Sequence, residues 1–297
     1  MISVFGSANM DLVAYVSQAP ELGETVSGRE FRMIPGGKGA NQAIAAARAG
    51  AEVAFLGAVG DDAFGPVLRG ALTEAGVDTS GLQVVPGSSG IAHIVVADGG
   101  ANSIIVVAGA NGAVSAPSPD ELAVIRRSDA LLLQLELPMP AVVGAAVSAG
   151  VPVILTPAPV VELPGELLDA VALLVCNEHE GTAITGQAEP DKALEALLRR
   201  VPEAVVTLGS KGALYGSRDG SRLWAPAVPA RAVDTTAAGD TFVGALAVAR
   251  SEGRTAEESL RFASTAAALS VQRPGASTSM PTRTEIDQSL NSGQSPT

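Results

Sequence analysis

Cysteine, histidine, tryptophan and tyrosine are nearly absent from this chain, which holds one, two, one and two of them in 297 residues. Cys176 alone can form no internal disulfide, and its place in an apolar run marks it as buried filler in a reducing environment. Aromatic residues make up 3% of the chain against 47% for all apolar types, so Ala, Val, Leu and Ile must build the core. Basic charge is also scarce: 19 Lys and Arg face 31 Asp and Glu, for a net charge of −12. Neither a nucleic acid nor an anionic membrane is expected as a partner, because both need a basic face. Any anionic ligand must then be held locally, by backbone amides, a few cations or a metal. Every long apolar stretch is cut by Pro, Gly or charge before it reaches the length of a membrane span. Met1 leads into Ile2-Ser3-Val4-Phe5-Gly6 without a basic leader, so a cytoplasmic protein is expected. Two phosphate-binding fingerprints are missing as well, GxGxxG after the first strand and GxxxxGK[ST] at the glycine-rich turn near residue 36.

What the chain does hold is organised around Asp234-Thr235-Thr236-Ala237-Ala238-Gly239-Asp240, which runs into an apolar segment from Thr241 to Ala249. Small residues lead into a helix start, where unpaired N–H groups and the helix dipole favour an anion. A carboxylate beside such a hole repels a resting phosphate. It is suited instead to taking a proton from an alcohol while the hole steadies a transferring phosphoryl group. On this stretch alone Asp240 is equally readable as a helix cap.

In chain order, Ile2 to Gly6 reads as a buried strand, with Asn9 and Asp11 beyond its C-terminal end, where open α/β sheets place ligand groups. Val13 to Ile34 reads as exposed β structure. Gly36-Gly37-Lys38-Gly39-Ala40-Asn41-Gln42 reads as a ligand-approaching turn before a helix over Ala43 to Ala49. Asp61 and Asp62 read as caps of a helix from about Ala63 to Glu74. Gly90 to Val96 and Ser103 to Val107 form a second exposed β pair containing His93. Short apolar strands then alternate with helices: Leu131 to Leu135, Val151 to Leu155, Val171 to Val175 and Val205 to Leu208. That alternation predicts a parallel sheet covered on both faces. Glu136, Asn177, Glu180, Thr207 and Ser210 fall at strand C-terminal ends and point to a site along one sheet edge. A last helix is expected from Ala256 to about Val271, and residues 288–297 read as a flexible tail.

The motifs GSANMD at 6–11, GGKGANQA at 36–43, AGAN at 108–111, QLELP at 134–138, NEHE at 177–180, TLGSKG at 207–212 and DTTAAGDTF at 234–242 together resemble the ribokinase-like family of sugar kinases. The resemblance implies one domain over 1–297: an α/β three-layer sandwich with a mostly parallel central sheet and a small β lid from about 12–35 and 88–108. It implies ATP-dependent phosphorylation of a sugar, D-ribose at its 5-hydroxyl, with another pentose, a nucleoside or a non-catalytic sugar-binding role as alternatives. It assigns Asp240 as general base and the N–H groups of Ala237, Ala238 and Gly239 as the anion hole. Asn9, Asp11, Gly37, Lys38, Asn41, Glu136 and Asp240 would hold the sugar. Asn177, Glu180, Thr207, Leu208, Gly209, Ser210, Lys211, Gly212, Gly239 and Ser264 would meet ATP, with Asn177 and Glu180 ordering water around Mg²⁺. Asp234, Thr236, Ser270, Arg273, Gly275 and Ser279 would form a K⁺ loop, and paired lids would make a homodimer. The chain departs from the family pattern at Thr156 (usually Asn), Cys176 (usually Pro), Ser264 and His93.

Overall fold

A computed structural model describes residues 1–99 and 101–292. The first half runs β1 (Ile2–Phe5), β2 (Asn9–Val16), β3 (Gly28–Gly36), α1 (Lys38–Arg48), β4 (Val53–Gly60), α2 (Phe64–Glu74), β5 (Leu82–Val85), β6 (Gly90–Val96), β7 (Asn102–Val107) and α3 (Pro119–Ile125). The second runs β8 (Ala130–Leu133), α4 (Met139–Ser148), β9 (Val153–Leu155), α5 (Gly165–Ala170), β10 (Leu173–Asn177), α6 (Glu178–Thr185), α7 (Pro190–Leu198) and β11 (Glu203–Thr207). It closes with β12 (Ala213–Ser217), β13 (Arg222–Ala225), α8 (Ala238–Ser251), α9 (Ala256–Ser270) and α10 (Arg283–Ser292).

The strands form a nine-stranded sheet in the order β13-β12-β11-β10-β9-β8-β1-β4-β5 and a four-stranded sheet in the order β3-β2-β6-β7. In the large sheet β12 pairs antiparallel with both β11 and β13, and the other described pairs are parallel. Its strands alternate side chains between two apolar layers. Ile2, Val4 and Leu132 pack under α1, α8 and α9 with Ile44, Leu246 and Phe262. Phe5, Leu131 and Leu133 pack on the other face with Val142, Leu167 and Leu197. This is the expected α/β sandwich, helices on both faces of a mostly parallel sheet.

Several boundaries differ from the sequence expectation, each for a local reason. Helix α1 begins at Lys38, five residues early, so Lys38 to Gln42 are helical rather than loop. Gly37 starts it at φ 92°, and a Cβ on Gly39 would lie 2.5 Å from the Ser7 nitrogen, so glycine is what lets the helix press on the chain after β1. Asn9 is already in β2, so Asn9 and Asp11 belong to the small sheet rather than to the end of β1. Asp62 behaves as expected, its Oδ1 accepting from the Phe64 and Gly65 N–H groups. The chain does not loosen at residue 288. Glu285 accepts from the Thr282 N–H at 2.7 Å, Arg283 pairs with Asp287, and α10 runs to Ser292; the rest of the expected tail, 293–297, lies outside the described residues.

Candidate active site

The start of α8 forms the centre of the site. Ala237 precedes the helix at φ 57°, the one non-glycine positive φ among the described residues. That conformation costs an alanine about 1–2 kcal/mol. The Ala238 N–H donates to the Thr235 carbonyl at 3.2 Å, so that amide is spent within the turn. The Ala237 and Gly239 N–H groups have no protein partner among the described residues, and a Cβ on Gly239 would meet nothing within 4 Å. Of the three amides expected to make an anion hole, two are open.

Asp240, in the first turn of α8, is clamped by consecutive residues of α1. Asn41 Nδ2 donates to its Oδ2 at 3.2 Å and Gln42 Nε2 to its Oδ1 at 3.1 Å. Burial pushes the Asp240 carboxyl up to about 6, against the pull of Lys38, Gln42 and Asn41. Asn41 leaves its own Oδ1 buried and without a partner among the described residues, an acceptor in want of a donor. Gln42 had no assigned role in the sequence, because the expected helix began beyond it and hid which way it faces.

The other polar groups of this corner come from three elements. Glu136 Oε2 accepts from the Ser7 hydroxyl and from the Lys38 N–H at 2.9 Å, which leaves its Oε1 open. Burial, then Glu136 and Asp240, pushes Asp11 up to about 7 against the pull of Lys38. Burial opposes the Lys38 charge, but Asp240, Glu136, Glu180 and Asp11 together hold its pKa above the usual lysine value. Four carboxylates thus act on one ammonium. Asn9 is buried beside Gly37, and its Oδ1 accepts from Asn111 Nδ2 at 2.7 Å. Asn111 also binds both backbone groups of Ala8, so the 108–111 motif orients Asn9. Substitution at Gly37 is doubly barred, since a Cβ there would lie 2.7 Å from the Asn9 nitrogen.

A cleft of about 580 Å³ opens beside the α8 start. Thr207, Gly209, Ser210 and Gly212 line it on one side and Ala238 and Gly239 on another, with Ser264, Ala267 and Ala268 of α9 forming an apolar wall. Val228, Pro229 and Ala230 also line it. Sequence inspection missed that segment because it carries no polar signal. Two expected nucleotide residues turn away: Leu208 packs its side chain into the second apolar layer, and the Lys211 ammonium lies 3.8 Å from Glu178. Neither lines the cleft, although their chain neighbours Thr207, Gly209, Ser210 and Gly212 do. Asn177 and Glu180 cap α6 reciprocally, each side chain bonded at 2.9 Å to the other's N–H.

The segment expected to hold a cation is only partly gathered. Asp234 binds the Thr236 N–H at 2.9 Å and hydroxyl at 2.6 Å, and reaches the Gly275 N–H at 2.9 Å. The Arg273 side chain points to Glu285 instead, and the hydroxyls of Ser270 and Ser279 donate to the carbonyls of Ala267 and Ala276. Arg273 could then serve an ion only through its backbone carbonyl, while Ser270 and Ser279 keep a carbonyl and the lone pairs of their hydroxyl oxygens. No cluster of three His, Cys, Asp or Glu suited to a metal occurs among the described residues, and no described helix is long and apolar enough to cross a membrane.

The chain and its fold resemble those of known proteins. The chain is 42% identical over 296 residues to a ribokinase of Bacillus subtilis, covering 98% of this chain and 99% of that one. It is 40% identical to a ribokinase of Schizosaccharomyces pombe over 98% of each chain. Among solved structures, ribokinase of Arabidopsis thaliana complexed with ribose and ATP superposes with a TM-score of 0.92 at 37% identity, covering 97% of this chain and 98% of that one. The model of the pfkB family carbohydrate kinases matches residues 1–283, and the chain belongs to that family.

Proposed function

We propose that this protein transfers the γ-phosphoryl group of ATP to the 5-hydroxyl of D-ribose, giving D-ribose 5-phosphate. The observation that carries the reading is the position of Asp240. It follows directly on Ala238 and Gly239, which line the nucleotide-sized cleft, and it is clamped by the same helix that brings Lys38 to Asp11 and Glu136. In this reading Asp240 accepts the hydroxyl proton, and the Ala237 and Gly239 amides stabilise charge on the phosphoryl oxygens. Phosphoryl transfer asks mainly for this alignment and charge placement. Asn9, Asp11, Lys38, Asn41 and Glu136 hold the sugar. The unpartnered Asn41 Oδ1 and open Glu136 Oε1 suit hydroxyl donors, which the orphaned acceptor of Asn41 needs. Adenine fits the apolar wall of Ala267 and Ala268 beside Ser264.

Mg²⁺ would accompany the nucleotide phosphates and neutralise their charge. The Asn177 amide and the second Glu180 oxygen, both left over from the α6 cap, are the groups suited to its water shell. K⁺ would be held by carbonyls in the 234–236 and 270–279 segments, with Asp234 bracing the loop against Gly275. The small sheet acts as the sugar lid, and its outer face supports a homodimer. Met33, Leu12, His93 and Ile105 share one row on the face opposite Asp11, and Phe31, Met33 and Ile105 are 59%, 60% and 67% exposed. An apolar face and edge of that size call for a partner, here a second copy. The supply of ATP and the buried Cys176 thiol, pushed up to about 12 by burial, fit a cytoplasmic site of action.

The test is ATP-dependent phosphorylation of ribose, deoxyribose, fructose and adenosine with K⁺ or Na⁺, for the wild type and Asp240→Asn. Ribose turnover that needs K⁺ and falls by about 10³ or more in the variant is the expected result. Preference for another acceptor would keep the chemistry and change the substrate. No turnover on any of them, with ribose still bound, would leave a sugar-binding protein.

A further inference from the structure

Gln42, one of the two clamps on Asp240, joins it to two further uncharged side chains, each delivered by a different element. Gln42 comes from α1 and is fully buried. Its Nε2 donates to Asp240 Oδ1 at 3.1 Å and to the Thr156 hydroxyl oxygen at 3.2 Å, while its Oε1 accepts from Gln134 Nε2 at 2.6 Å. Gln134 lies just past β8 and Thr156 just past β9. Both amide protons of Gln42 are engaged and its oxygen has a donor, so a flipped amide would set oxygen against the carboxylate. The arrangement carries a cost: Gln134 Oε1 is buried with no partner among the described residues, in a space kept open by Gly6, where a Cβ would lie 2.3 Å away. Buried polar chains left partly unsatisfied reduce stability, which an apolar side chain at 134 would avoid.

We propose that Gln42 is the positioning residue of the base. Anchored by Thr156 and Gln134, it fixes the Asp240 carboxylate in one orientation and favours its ionised form. Thr156, which departs from the family's Asn, supplies the outer anchor with a hydroxyl. The other groups facing Asp240 are Lys38 and Asn41 of α1, which also favour the charge, and Glu136 and Asp11, which oppose it. The inference rests on the phosphotransfer reading for its kinetics but not for its electrostatics.

The experiment compares the wild type with Gln42→Met, Thr156→Val and Thr156→Asn. It combines the pH profile of kcat/KM for ribose with an NMR titration of the Asp240 carboxyl carbon in the sugar-free protein. Gln42→Met is expected to move the acid limb and the Asp240 titration upward by about half a pH unit or more and to lower kcat by about 10- to 100-fold. KM for ATP stays within about two-fold, because the cleft is untouched. Thr156→Val shifts the same way by less, and Thr156→Asn, which keeps an acceptor, restores wild-type values. An unshifted Asp240 titration in folded Gln42→Met and Thr156→Val would overturn the proposal. If the wild type phosphorylates no sugar, the kinase reading fails by itself, and the carboxyl titration still decides the role of Gln42.

Discussion

Asp240 and Asp11 titrate near 6 and 7 rather than at the ordinary 3.8, and both activity and stability should feel it. A base must be ionised, so kcat/KM for the sugar is expected to fall as pH drops through about 6, with Asp11 adding a second step near 7 in the ligand-free enzyme; a pH–rate profile from 5 to 9 checks this. The stability effect has the opposite sense. A carboxyl whose folded pKa is raised binds its proton more tightly when folded, so its stabilising contribution is complete below 3.8 and lost as pH rises through the folded value. Asp11→Asn should therefore leave the ligand-free protein more stable at pH 8, by roughly 1–2 kcal/mol, and weaken ribose binding. Thermal melts at pH 5 and pH 8 test this: the variant's gain should shrink at the lower pH. The place of Asp240 at a helix start was legible in the sequence from the small residues before it, whereas its reading as a base rather than a cap came from the family resemblance. Gln42 was not legible, because its role depends on which face of α1 meets α8, and that is fixed by packing.

Contact between α1 and α8 turns on Gly244, where a Cβ would lie 2.6 Å from Ala45 Cβ and 2.7 Å from the Gln42 carbonyl oxygen. Gly244→Ala must push the helices apart, and the Asn41 and Gln42 clamps on Asp240 span that seam. We expect a loss of about 1–3 kcal/mol in chemical denaturation with kcat reduced about ten-fold or more, and KM for ATP little changed. On the nucleotide side, the only tryptophan, Trp224 in β13, donates its indole N–H to the Lys211 carbonyl at 3.3 Å. Its emission should change on titration with ATP and stay constant with ribose alone. The buried strands β1, β8, β10 and β11 were readable from apolar runs to within about two residues, since a parallel sheet covered on both faces needs them. β5 and β13 were not, because they are the two edge strands of the sheet and half of their residues are exposed. The cleft wall of Val228, Pro229 and Ala230 was hidden for a related reason. Its contribution is shape and apolar surface, and a sequence announces polar ligand groups far more plainly than apolar ones.

For the whole molecule the proposal that a second copy covers the outer face of the small sheet is tested by the state of assembly. Wild-type protein is expected to sediment as a dimer at micromolar concentration, and Ile105→Lys with Met33→Lys to sediment as a folded monomer. A wild-type monomer in the same run would remove the second copy from the scheme. The small sheet is also joined to the large one with almost no slack. Only residues 6–8 separate β1 from β2, and Gly37 alone separates β3 from α1. Asn9 and Asp11 ride on one side of these short joints, while Lys38, Asn41 and Asp240 stay on the other. An acceptor bridging the two groups is then the clasp that holds them together. In the proposed reaction water is too small to reach both groups, so ATP hydrolysis without a sugar is expected to be far slower than ribose turnover, which an assay of ADP release with and without ribose checks.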